Sequence, residues 1–145
     1  MKKMMSFVLT AIMIFALVGC SNNAVSEIEV NSWKMTTVQS VENDGQVIAY
    51  GSDDNSTLDS ATKIDLECKA ENGNLTLSDL TNNKTYTGTY LLKSSSSEST
   101  IYEVHIGDAE GLAVVSFTKY NDDTQKPTLI LSMENFAVNF FALDK

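Results

Sequence analysis

From residue 31 onward, apolar and polar residues alternate in short runs broken by Gly, Asn, Asp and Ser, and no run carries a helical repeat. Alternation with a period of two sends successive side chains to opposite faces, so it specifies strands with one buried face. Trp33, Met35 and Thr37 alternate with Lys34, Thr36 and Val38, and Asn43-Asp44-Gly45 turns this strand into 46–50. A polar loop covers 51–62. Strands are then expected at 63–69, 74–80, 84–93, 100–106, 112–120, 127–133 and 135–143, separated by turn residues such as Asn72-Gly73 and Asn121-Asp122-Asp123. The only proline, Pro127, stands at a strand start, where its missing N–H costs little.

This pattern predicts an all-β fold, an antiparallel up-and-down meander of eight or nine strands. An open meander leaves two exposed edges, and pairing the first strand with the last removes both. The apolar last strand, with Phe136, Val138, Phe140, Phe141 and Leu143, suits a strand that pairs deeply or is covered on both sides. A closed or nearly closed barrel is the expected form, with a two-sheet sandwich as the alternative.

The first twenty residues belong to a different regime. Lys2 and Lys3 precede an apolar run from Met4 to Val18, too short to span a bilayer comfortably and closed by small residues. Leu17-Val18-Gly19-Cys20 resembles the lipobox of bacterial lipoprotein precursors. That resemblance implies removal of 1–19 as a signal peptide and a diacylglycerol on Cys20, the new N-terminus. Two acyl chains, at about 0.8 kcal/mol per buried methylene, anchor a protein stably. The expected location is the cell envelope, exported and held to the membrane through Cys20. Residues 20–29 then read as the lipidated cysteine and a short polar tether, and 30–145 as one domain. Ser21 after the cysteine, where the family's retention signal has Asp, implies the outer membrane in a two-membrane host.

Losing Lys2 and Lys3 leaves eight lysines against nineteen acids, a formal charge of about −11, and the chain has no arginine. Without guanidinium forks and with this charge, nucleic acid and phosphorylated ligands are poor partners. With Cys20 lipidated, Cys68 has no disulfide partner within the chain. It alternates with Ile64 and Leu66 and reads as a buried, inert thiol.

Two segments resemble lipocalin-like barrels of small bacterial lipoproteins. Val30-Asn31-Ser32-Trp33-Lys34-Met35-Thr36 is similar to their "G-x-W-K-L" start, with Trp33 at the tryptophan that closes one barrel end. Thr85-Tyr86-Thr87-Gly88-Thr89-Tyr90 resembles their "Y-x-G-x-Y" strand, and Thr118-Lys119-Tyr120 is similar to their "T-D-Y" turn. Asn31 stands where the family has glycine, Lys119 where it has aspartate, and no arginine can stack on Trp33. The resemblance implies an eight-stranded barrel and says little of function.

Chemistry-bearing residues are sparse. His105 is the sole histidine and is expected to point outward beside Glu103, so no histidine pair or His-based metal cluster can form. No serine lies in a nucleophile elbow. Asp53-Asp54-Asn55-Ser56-Thr57-Leu58-Asp59 alternates oxygen ligands, but Ile64 occupies the place of the bidentate glutamate in a calcium loop. No catalytic residue, metal or cofactor is expected. What remains is the barrel interior, where Trp33, Tyr86, Tyr90, Tyr102, Phe117, Met133 and Phe140 can share one face. Those side chains either line a pocket for a small hydrophobic or amphipathic ligand or fill the core. In the second case the protein is a structural or interaction module of the envelope, acting as an inhibitor or accessory subunit.

Overall fold

The computed structural model describes residues 26–52 and 61–143. The expected signal segment 1–19, Cys20 and the acidic run 53–59 lie outside the described residues. One turn of helix, α1 (Glu27–Val30), precedes β1 (Ser32–Ser40), β2 (Val47–Gly51), β3 (Thr62–Ile64), β4 (Leu66–Glu71) and β5 (Asn74–Asp79). Then follow β6 (Lys84–Ser95), β7 (Ser99–Ile106), β8 (Ala109–Lys119), β9 (Gln125–Ser132) and β10 (Phe136–Ala142).

From β4 to β10 each strand pairs antiparallel with the next, β4 pairs with β1, and β10 returns to β1 over Trp33 to Ser40. The result is a closed barrel of eight strands, not a sandwich, and closure satisfies both edges of the meander. The last strand is therefore paired on both sides. It is not covered on both faces, because Phe141 remains 45% exposed.

β2 and β3 are additions to that wall. β1 pairs with β4 through Ser32 to Lys34 and with β2 through Thr37 to Gln39. β2 lies parallel to β3, with Ala49 opposite Thr62. This departs from the all-antiparallel expectation. β3 runs in the direction of β4 on the far side of Asp65, and β2 takes the place beside β1 that β4 holds at the other end.

Local chemistry accounts for the turns. Asn72 (φ 50°) and Gly73 (φ 79°) both sit in the left-handed region, the requirement of a two-residue hairpin whose twist matches its strands. Between β5 and β6, Asp79 accepts bonds from the backbone N–H of Asn82 at 2.9 Å and its side-chain amide at 2.7 Å. Those bonds, the side-chain one first, hold the Asp79 carboxyl below the usual carboxylate range.

The first strand does not alternate as simply as its sequence suggests. A bulge between Met35 and Thr37 shifts the register, so Met35 faces Phe140 while Val38 faces Val138. Val38, not Thr37, therefore packs against the core. Thr36 is the extra residue, and its hydroxyl donates to the Asn139 carbonyl at 3.1 Å.

The core is one cluster including Ile28, Trp33, Met35, Cys68, Leu75, Tyr90, Tyr102, Val104, Leu129, Leu131, Val138 and Phe140. Cys68 is buried, and burial pushes its thiol up to about 12. Register places α1, the β4–β5 turn, the β6–β7 loop and the β8–β9 turn at one end of the barrel.

Candidate functional site at the plugged end

Ile28 is fully buried although it lies in the segment that composition reads as tether. A single turn of helix is too short to be stable alone, so α1 must be held by tertiary contacts. Those contacts are specific. The Trp33 indole N–H donates to the Ile28 carbonyl at 2.9 Å. The Tyr102 hydroxyl accepts from Ser26 Oγ at 2.7 Å and from the Ile28 N–H at 3.4 Å. The Tyr90 hydroxyl donates to the Glu29 carboxylate and accepts from the Gly73 N–H at 3.2 Å. Residues 26–29 thus belong to the folded unit and close this end of the barrel.

Four of the aromatic residues singled out from the sequence come together here. Trp33, Tyr90, Tyr102 and Phe140 are buried in one cluster, and Tyr90 meets Tyr102 edge to face with ring centroids 5.6 Å apart. Burial, followed by the bond to Glu29, raises the Tyr90 phenol to about 12. Met133 packs against the same cluster from its edge.

Tyr86 and Phe117 do not join them. Tyr86 faces inward in register with Leu77 and Cys68, but β7 stops at Ile106, opposite Gly88, and leaves it 46% exposed. Phe117 is the counterpart at the other end. Its neighbour on β9 is Pro127, but β7 begins at Ser99, opposite Ser116, so Phe117 stays 57% exposed. Both have inward parity, yet the stagger of a tilted barrel puts each beyond its neighbouring strand.

Beside α1 the barrel mouth keeps a depression of about 540 Å³, lined by Glu27, Glu29, Tyr90, Leu91, Leu92 and Tyr102 among others. A larger open cleft of about 770 Å³ runs between the β8–β9 turn and the β1–β10 seam. Met35, Tyr120 and Phe141 form part of its wall, and Lys126 lies over the Tyr120 ring at 6.0 Å.

Other candidate chemistry is dispersed. His105 points outward, but its carboxylate neighbour is Glu110 at 3.6 Å. Glu103 instead pairs with Lys93 at 2.9 Å, a contact that holds its carboxyl below the usual range. Among the described residues no three His, Cys, Asp or Glu side chains are grouped as a metal site. The residues that sequence reasoning missed are Ser26, Ile28 and Glu29. Their signal was Ile28 and Val30 alternating with Glu27 and Glu29, a pattern that reads as the start of a strand near Ile28 and is a turn of helix in the structure. No protein-family model, curated protein or solved structure matches the chain.

Proposed function

We propose that this protein is a lipid-anchored, non-catalytic component of the bacterial envelope that acts through its outer surface as a structural or protein-interaction module. The lipocalin-like barrel serves as its rigid scaffold. The observation that carries this reading is the use of the interior polar handles. The Trp33 indole and the Tyr90 and Tyr102 hydroxyls are all bonded to residues 26–29 of the same chain. A ligand entering the barrel would have to displace α1 and leave buried polar groups without partners, at about 1–3 kcal/mol each.

Native mass spectrometry of the Cys20→Ala chain after incubation with a lipid extract of a bacterial envelope tests the filled interior. The expected result is an unliganded mass. A stoichiometric adduct lost on Tyr102→Phe would instead make this a carrier of a small amphipathic ligand. That second reading rests on the depression of about 540 Å³ beside α1, a volume typical of ligand sites. Membrane fractionation of the precursor and its Cys20→Ala variant tests the anchor: retention is expected for the first alone.

A further inference from the structure

We propose that the end of the barrel closed by α1 rests on the bilayer, with Phe117 and the β8–β9 turn inserted among the lipid headgroups. The inference rests on the lipidation of Cys20. Residues 21–25 separate that cysteine from Ser26, and the six residue steps between them reach at most about 20 Å. Because Ser26, Ile28 and Glu29 are bonded into the mouth, the chain runs toward Cys20 from this end of the barrel.

The same end carries apolar surface that the fold leaves uncovered. Phe117 is 57% exposed where β8 overhangs β7, and Tyr120 follows it into the turn. Aromatic rings with a polar tip or neighbour favour the headgroup layer, where one side is apolar and the other wet.

Charge supports a zwitterionic surface. Lys119 pairs with Asp123 at 2.7 Å, and Asp122 is held by the Thr124 hydroxyl at 2.6 Å. With Lys126, this turn carries as many lysines as aspartates on an otherwise strongly acidic chain. It can therefore approach phosphatidylcholine without net repulsion.

The test is hydroxyl-radical footprinting of the mature protein in phosphatidylcholine vesicles and in detergent-free solution as the Cys20→Ala chain. Tyr86 and Phe136, exposed at the opposite end, are internal controls. Oxidation of Phe117 and Tyr120 should fall several-fold on vesicles while the two controls do not change. The protection of Tyr120 should disappear in a lipidated Phe117→Asp variant. Unchanged oxidation at Phe117, or equal protection at both ends as a protein partner or self-association would give, overturns the seating. An intact mass lacking the diacylglycerol overturns the anchor reading and the seating together, whereas a lipidated mass with unprotected Phe117 overturns the seating alone.

Discussion

The Tyr90 hydroxyl donates a hydrogen bond to the Glu29 carboxylate, 61 residues earlier in the chain. It ties the helical turn at the start of the fold to the middle of the longest strand. Tyr90→Phe removes that bond and the acceptor of the Gly73 N–H. A hydrogen bond to a charged group is worth about 1.5–3 kcal/mol, and less here because Glu29 is only half-buried. We expect Tyr90→Phe and Glu29→Gln each to lower stability by about 1 kcal/mol in urea titrations. A double-mutant cycle should show the two losses to be coupled, and strict additivity would contradict the contact.

Ile28 separates a tether from a plug. If 20–29 were only a tether, truncating its side chain would change nothing. As a fully buried member of the core, Ile28→Ala should lose about 2–5 kcal/mol. Val30→Ala, two residues on and 44% exposed, should shift the melting temperature little. Thermal denaturation of the two variants checks the difference.

Alkaline pH should unfold the protein through two identified groups. The Cys68 thiol rises from its ordinary 9.0 to about 12 through burial. The Tyr90 phenol rises from 10.0 to about 12, first through burial and then through Glu29. Both groups ionise more readily once unfolded, so their contribution is intact below pH 9 and is lost as pH climbs toward about 12. Stability measured across that window should fall, and Cys68→Ala should flatten the decline. In the Cys20→Ala chain, Cys68 should also resist thiol reagents at pH 8 until denaturant is added.

Gly88 sits where strands crowd. A methyl group there would collide with the backbone carbonyl of His105 on β7, which cannot give way as a flexible side chain would. Gly88→Ala should therefore lose about 1–3 kcal/mol in chemical denaturation. Gly107, with open space around its Cβ position but a φ of 61°, should lose less on the same substitution, about 1 kcal/mol of backbone strain.

How far the fold was legible varied from element to element. Strand positions and the Asn72-Gly73 hairpin follow from local chemistry, since alternation and left-handed turn residues act within a few positions. The burial of Trp33, Tyr90, Tyr102 and Phe140 was legible for the same reason. The exposure of Tyr86 and Phe117 was not, because parity gives the face of a strand and not how far its neighbour extends. The bulge at Thr36 was hidden likewise: one extra residue reverses the parity of Val38 without leaving a compositional mark.

The sequence alone determined that this chain makes strands, where they turn, and which residues have inward parity, since those choices are made by neighbours along the backbone. The tertiary structure decided that the sheet closes into a barrel, that β2 pairs in parallel with β3, and that residues 26–29 plug one end. Those outcomes depend on groups brought together from distant parts of the chain, whose bonds form only once the barrel has closed.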